Sequence, residues 1–227
     1  MKRLTSIIAI LITATVSLYA QKHYESHIHV GFHGGATMST MSFSPSVKQK
    51  MLQGITAGIS ARYAEERHVG LLGELNISQR GWQEKFEESP LQYSRTLTYV
   101  ELPIMTHIFF GSRTFKGFIN LGPQICYMLG SSIDSNFDYE HPDQVADFPA
   151  GNRMTEQMSM EIKNKFDYGI CAGVGIEGII RRRHSVMLEG RMYYGLGNIF
   201  SATKKDTFSA SRGISIAVTL GYMFRLK

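Results

Sequence analysis

The chain has 227 residues, with 24 Lys and Arg against 19 Asp and Glu, which gives a formal net charge of +5. Removing Lys2 and Arg3 with a leader lowers this charge to +3, too small a surplus to indicate nucleic-acid binding. The chain carries 22 glycines, and beyond its start no run of 18 uncharged apolar residues predicts a membrane helix. About two hundred residues after a leader suit one domain.

Residues 1–20 have the pattern of a secretory signal peptide. Lys2 and Arg3 precede a short apolar run, which ends on a small residue, Ala20. No cysteine follows, which argues against a lipoprotein anchor, and the run is short for an uncleaved membrane anchor. We predict a cleaved signal peptide over 1–20 and one exported domain over 21–227.

Eight segments alternate apolar and polar residues with the period of two that predicts β-strands. The clearest is 99–129, in which two alternating arms flank a polar turn at 111–114. The predicted strands are 27–39, 52–64, 69–81, the two arms of 99–129, 165–178, 185–194 and 213–225. Each is long enough for the roughly 9–11 residues of a tilted strand that crosses a bilayer.

Short and long connections alternate along these strands. The short ones are 65–67, 111–114 and 181–183, and the long ones are 40–51, 82–95, 131–164 and 197–212. This asymmetry is typical of outer-membrane barrels, which have short periplasmic turns and longer outer loops. We predict an all-β fold, an eight-stranded antiparallel up-and-down transmembrane β-barrel. The alternative is a soluble lipocalin-like barrel, whose apolar face would point inward.

Two prolines lie inside predicted strands that have no free edge. Each removes a donor from the hydrogen-bond ladder. Parity directs Pro103 inward and Pro123 outward, and a turn centred near Ser112 and Arg113 would place Pro103 opposite Gly122. We therefore predict a bulge or a weakened ladder at this point.

If the apolar faces meet lipid, a set of ionisable side chains points into the lumen. This lumenal polar cluster comprises Arg62, Glu74, Arg80, Glu101, His107, Asp167, Glu177, Glu189 and Arg191. Side chains just fill the interior of an eight-stranded barrel, and an unpaired buried charge is costly. We predict a structural core of salt bridges, with a proton or small-solute path as the functional alternative.

Two patterns resemble ligand sites. His27, His29 and His33 share one strand face, which suits a metal, but no acidic or cysteine ligand lies at a useful spacing. Residues 173–178 match the dinucleotide pattern G-x-G-x-x-G, yet no helix follows. We predict no metal and no cofactor, and inward glycines that make room for bulky lumenal neighbours.

Other candidates leave alternatives open. Cys126 and Cys171 share inward parity on neighbouring strands, so two free thiols or, less favoured, a disulfide are both compatible with the sequence. The segment 133–149 holds five acidic residues and no Lys or Arg. It is predicted to be a solvated, mobile outer loop, with calcium or partner binding as the alternative, although no EF-hand spacing occurs. No G-x-S-x-G occurs, and we predict no catalytic residue.

Several short motifs, in their order along the chain, resemble the PorT-like outer-membrane β-barrel family. They are VGFHGG at 30–35, ELNISQRGW at 74–82, YVELP at 99–103, NLGP at 120–123, FDYG at 166–169, LEGR at 188–191 and GLGNI at 195–199. The resemblance covers essentially the whole exported chain and implies an eight-stranded outer-membrane barrel with no defining catalytic residues. The family's namesake is linked to type IX protein secretion, and this chain is more similar to the general family than to that component.

The predicted function is that of a non-enzymatic outer-membrane protein of the cell envelope, which presents outer loops or scaffolds partners. The alternative is assistance in transport or protein secretion, and a third is a barrel enzyme that modifies lipid or lipopolysaccharide. Expected partners are outer-membrane lipid and lipopolysaccharide, with envelope or secretion proteins as further candidates and no nucleic acid.

Overall fold

The computed structural model describes residues 26–64, 68–149, 151–152, 154–181, 183–202 and 207–226. The strands are β1 (His27–Ser44), β2 (Gln49–Lys50), β3 (Leu52–Ala64), β4 (Val69–Glu84), β5 (Tyr93–Gly111), β6 (Phe115–Ser135), β7 (Phe166–Ile180), β8 (His184–Gly195) and β9 (Ala210–Arg225). The longest connection contains a 3-10 turn (Pro142–Gln144) and a one-turn helix, α1 (Glu156–Ser159). No helix in these ranges is long and apolar enough to cross a bilayer. The predicted signal peptide and the turn 65–67 lie outside the described residues.

The eight long strands form a closed antiparallel ring. Their order is β4-β3-β1-β9-β8-β7-β6-β5, and the pairing of β4 with β5 completes the circle. The two residues of β2 pair only with the outer end of β4. The predicted eight-stranded up-and-down barrel is therefore confirmed, with β2 as a short ninth strand outside the ring.

Apolar side chains form a band around the outside of this ring. Ile55, Ile59 and Val174 are each more than 60% exposed, although they are in the middle of their strands. On β5 the band runs from Val100 to Phe110, which at about 3.3 Å per residue and a tilt of about 40° is about 25 Å tall. This height matches the apolar band of outer-membrane barrels. A soluble barrel with an inward apolar face does not fit.

We call the end with tight connections the turn end and the opposite end the loop end. At the loop end the strands are longer than predicted, because β1, β4 and β6 end later and β5 begins earlier. The pattern reverses there: Leu97 and Tyr93 point inward, whereas Thr96 and Thr98 point outward. The long connections shrink accordingly to 45–51, 85–92, 136–165 and 196–209.

The register of the central hairpin differs from the prediction. Gly111 pairs with Lys116, so the turn is centred one residue later than expected. Pro103 therefore faces Gln124, and the predicted pairing with Gly122 was wrong by two residues.

The ladder is nevertheless weakened at the prolines, as predicted. Pairing of β5 with β6 is interrupted at 104–105, opposite Pro123, and pairing of β4 with β5 is interrupted at 102–103. These are the places where the missing N–H groups remove donors. A separate register shift follows between Thr98 and Tyr99, nearer the loop end.

The barrel interior as candidate functional site

The nine residues of the lumenal polar cluster all lie inside the barrel. Eight are buried, and Arg191 is only slightly more exposed. They come from the inward positions of β3, β4, β5, β7 and β8, and ion pairs join them at three heights between the turn end and the loop end.

The ion pair nearest the turn end, which we call the lower level, crosses the full diameter of the barrel. Arg62 lies on β3 and Glu177 on β7, four strands apart in a ring of eight. Arg62 Nη2 donates to Glu177 Oε1 at 2.7 Å and Nη1 to Oε2 at 3.0 Å, a bidentate pair. Arg62 Nη1 also donates to His107 Nε2 at 3.1 Å, so His107 donates from Nδ1 to Asn120 Oδ1 at 2.7 Å.

A second ion pair also crosses the diameter, at mid-height. Glu74 of β4 accepts two hydrogen bonds from Arg191 of β8, one from Nη2 at 2.9 Å. The same guanidinium donates to Glu189 Oε2 at 2.8 Å, and Asn120 Nδ2 donates to Glu189 Oε1 at 3.0 Å. Asn120 therefore joins the lower and middle levels. The adjacent cavity, of about 30 Å³, has room for about two waters.

The upper level is built around Arg80. Its guanidinium carbon lies 4.3 Å from the ring centre of Tyr99 and 4.4 Å from that of Tyr193, a cation–π sandwich. Arg80 Nε lies 3.0 Å from Glu101 Oε1, an ion pair that lacks hydrogen-bond geometry. Asp167 lies 3.8 Å from Arg80 Nη2 and accepts a hydrogen bond from Tyr193 Oη at 2.9 Å.

Glycines of β7 make this packing possible. A Cβ on Gly173 would lie 2.2 Å from Glu189 Oε1, and a Cβ on Gly175 would lie 2.3 Å from Phe118 Cζ. These glycines lie in a regular strand. The match of 173–178 to the dinucleotide pattern therefore reflects the space that lumenal side chains occupy.

Aromatic side chains plug the barrel at the loop end. Phe43 lies 5.4 Å from Trp82 and 5.1 Å from Phe208, and it stacks on Phe200 at 6.0 Å, measured between ring centres. Trp82 is fully buried. Because the sequence indicated a loop from residue 82 onward, it did not predict this plug.

The one-turn helix α1 packs over the plug and contacts a buried carboxyl. Gln157 Nε2 donates to Glu84 Oε1 at 3.0 Å, and Trp82 Nε1 donates to the same oxygen at 3.1 Å. Glu84 lies seven residues beyond Ile77, where the apolar band of β4 ends, and therefore outside the membrane-spanning segment. Burial raises the pKa of this carboxyl to about 7, although both hydrogen bonds act to lower it.

The acidic segment 133–149 is anchored to the barrel mouth, whereas the sequence predicted a mobile loop. Phe137 and Phe148 pack edge-on against Phe86, with ring centres 5.6 and 5.8 Å away. Tyr139 packs on Tyr93 at 5.8 Å. All five acidic side chains of the segment are exposed: Asp134, Asp138, Glu140, Asp143 and Asp147. We call α1 together with 85–92, 133–149 and 196–202 the cap.

At the turn end the interior opens into a cavity of about 790 Å³, which we call the vestibule. Its lining includes His27, His29, Arg62, His68, Arg113, Lys116, Glu177, Arg183, His184 and Arg225. The predicted lumenal cluster omitted most of these residues, although basic residues are concentrated near the short turns in the sequence.

The three histidines that share a strand face lie in two places. His27 and His29 line the vestibule, whereas His33 lies deeper, with Nε2 3.7 Å from Glu74 Oε2. Among the described residues, no group of three His, Cys, Asp or Glu could hold a metal ion.

The two cysteines are free and buried. Cys126 pairs with Asp167 across β6 and β7, whereas Cys171 pairs with Gly122, so the two lie four residues apart along this strand pair. Of the two alternatives that the sequence left open, the structure has the free thiols.

A protein family described as "Outer membrane protein beta-barrel domain" matches residues 19–201. No curated protein matches the chain. Among solved structures, OprG from Pseudomonas aeruginosa is similar at 10% identity and a TM-score of 0.48, over 88% of this chain and 95% of that one.

Two further structures have similar coverage. Neisserial surface protein A aligns at 10% identity and a TM-score of 0.45, over 90% of this chain and 99% of that one. The attachment invasion locus protein Ail of Yersinia pestis aligns at 12% identity and a TM-score of 0.38, over 86% and 98%. These TM-scores and sequence identities are too low for the three similarities to indicate the function of this chain.

Proposed function

Because the chain belongs to the outer membrane protein β-barrel domain family, we propose that it is a non-enzymatic envelope protein whose closed barrel presents a structured cap. One observation carries the proposal: the ion pairs Arg62–Glu177 and Glu74–Arg191 each cross the full diameter of the lumen. Breaking a buried pair costs about 3–5 kcal/mol, so opening a path past both levels is unfavourable.

The cap is the surface that such a barrel offers to partners. Its aromatic side chains are turned into the barrel mouth, and its carboxylates are turned outward. Lipid covers the apolar band and lipopolysaccharide surrounds the cap, while a basic segment of an envelope protein suits its acidic face. Within outer-membrane barrels, we further propose that the chain is a general member of the PorT-like family rather than the component of type IX secretion. The order of its motifs along the chain supports this assignment.

Photo-cross-linking in intact cells tests this proposal. A photoreactive residue replaces Asp143 on the cap or, as a control, Ile55 in the apolar band. We expect an adduct with an envelope protein or lipopolysaccharide from the cap site and lipid adducts alone from the band. Replacing the other four carboxylates of 133–149 by amides is expected to remove the cap adduct. Failure to recover a partner, together with unchanged envelope integrity after deletion, would contradict the proposal.

The vestibule favours one alternative, assistance in transport or secretion, because it gives access to the interior from the turn end. Conductance of the purified protein in planar bilayers separates the two functions. We expect no stable open state, since both cross-lumen pairs have to break first. A steady conductance in the unmodified protein would favour transport.

The third candidate, a lipid-modifying enzyme, predicts a measurable change in the envelope. Lipid analysis of a deletion strain and its complemented parent is the test. Under the proposed function, we expect identical lipid and lipopolysaccharide profiles. A missing modification that the gene restores would establish an enzyme.

A further inference from the structure

We propose that the vestibule binds a small anionic ligand that carries a phosphate or carboxylate group. The inference goes beyond the proposed function, which concerns the cap at the other end of the barrel. It uses that proposal only for orientation, which places the turn end in the periplasm.

The vestibule has the dimensions of a ligand site. Its volume of about 790 Å³ falls within the range of about 300–1,000 Å³ that is usual for small-molecule pockets. The bidentate pair of Arg62 and Glu177 lies at its inner end and crosses the lumen there. This ion pair blocks the lumen, so a molecule that enters the vestibule from the periplasm can bind there but cannot pass through the barrel.

The charge of the lining selects anions. Arg62, Arg113, Lys116, Arg183 and Arg225 line the cavity, and of the described lining residues only Glu177 is acidic. Both oxygens of Glu177 already accept from Arg62. The described lining therefore has a surplus of four positive charges, and walls of low dielectric strengthen their field inside the cavity.

Two side chains that line the vestibule have a polar group that no described carboxylate or hydrogen-bond partner holds. The Lys116 ammonium lies 4.3 Å over the ring of Phe109, and no described carboxylate lies within 4.0 Å of it. The Nδ1 atom of His29 is buried and has no hydrogen-bond partner. His29 lies on β1 and Lys116 on β6, on opposite sides of the ring, so a ligand between them contacts both walls.

Phosphate and carboxylate oxygens suit these side chains, because an ammonium group forms charge-assisted hydrogen bonds to them and a neutral imidazole donates its N–H to them. The group can belong to a soluble periplasmic molecule or to the headgroup of an inner-leaflet phospholipid. The chemistry at the vestibule is the same in both cases, and the probes below distinguish the sources.

Calorimetric titration of the full chain, folded in zwitterionic micelles, tests the proposal. Inorganic pyrophosphate is the soluble probe, and dihexanoyl phosphatidic acid is the lipid probe. We expect saturable binding of one equivalent that weakens as salt rises. Binding of both probes, or of pyrophosphate alone, indicates a soluble ligand, whereas binding of the lipid alone indicates a headgroup.

Matched variants locate the site. Lys116→Gln is expected to weaken binding about tenfold, the usual effect of losing one charge-assisted contact. Lys116→Arg is expected to retain binding, as is Lys85→Gln, which removes an exposed charge at the loop end. Heat-dependent migration on gels verifies that each variant is folded. No saturable binding of either probe, or equal binding by Lys116→Gln, would overturn the inference, and neither result bears on cross-linking from the cap.

Discussion

The buried carboxyl of Glu84 makes the docking of the cap depend on pH. Glu84 Oε1 is held by Gln157 of α1 and by Trp82, whereas its Oε2 atom is buried without a partner. Burial raises the pKa of Glu84 from 4.5 to about 7, so the docked cap favours the protonated acid. When the cap undocks, the carboxyl returns to water and to its ordinary pKa.

The sign and size of the effect follow from these two pKa values. Below pH 4.5 the carboxyl is protonated in both states, and the docked cap has its full stability. As the pH rises from 4.5 to about 7, the undocked state loses its proton first, and docking weakens. The loss is complete above pH 7 and amounts to about 3 kcal/mol, at about 1.4 kcal/mol per pH unit.

The chain has a single tryptophan, Trp82, which reports on this carboxyl directly. We expect Trp82 emission to titrate with a midpoint near pH 7 in the folded protein, and to be flat in Glu84→Gln. Glu87→Gln, which removes an exposed carboxyl three residues away, is expected to titrate like the unmodified protein.

Amide exchange at 156–160 gives a second readout. Once corrected for the intrinsic effect of pH, the opening equilibrium is expected to rise about a hundredfold between pH 4.5 and 7.5, close to the factor that corresponds to about 3 kcal/mol. Emission that does not change between pH 5 and 9, or that titrates equally in Glu84→Gln, would refute the reasoning.

Three further results are expected. Arg62→Met leaves Glu177 buried without its partner and lowers the unfolding free energy by about 3–5 kcal/mol in urea titrations in lipid vesicles. Arg62→Met with Glu177→Leu recovers most of that loss, and equal loss in both variants would contradict a paired role. Gly175→Ala costs about 1–3 kcal/mol because its Cβ meets Phe118, whereas Gly178→Ala, with open space around it, is nearly neutral. Unboiled protein migrates faster than boiled protein on SDS gels, and unchanged migration would argue against a closed barrel.

The sequence contains most of the information for the lipid-facing half of the fold. A period of two with apolar residues outward identified every long strand, because lipid demands one polarity over the whole band. On the loop-end side of the apolar band, lipid no longer requires apolar residues on the outer face. Tyr93 and Leu97 turn inward against the cap while Thr96 and Thr98 face outward, so the same alternation has the opposite meaning.

The partners within the lumen could not be predicted in the same way. Parity alone directs Arg62 and Glu177 inward, but their pairing joins residues 115 apart in the chain. Which inward residues share a height depends on the stagger of the closed ring, and a shift of two residues in one hairpin leaves every side chain on its face. The register prediction at Pro103 was wrong by that shift.

The two ion pairs that cross the lumen also bear on the mechanics of the barrel wall. One joins β3 to β7 and the other joins β4 to β8, so the struts lie along diameters about 45° apart in a ring of eight. An unsupported ring yields to lateral pressure by becoming oval, which lengthens one diameter and shortens the perpendicular one. In this barrel, flattening along either of these two diameters has to compress or stretch the bidentate ion pair that crosses it. Both ion pairs therefore oppose an oval deformation of the barrel under the lateral pressure of the bilayer.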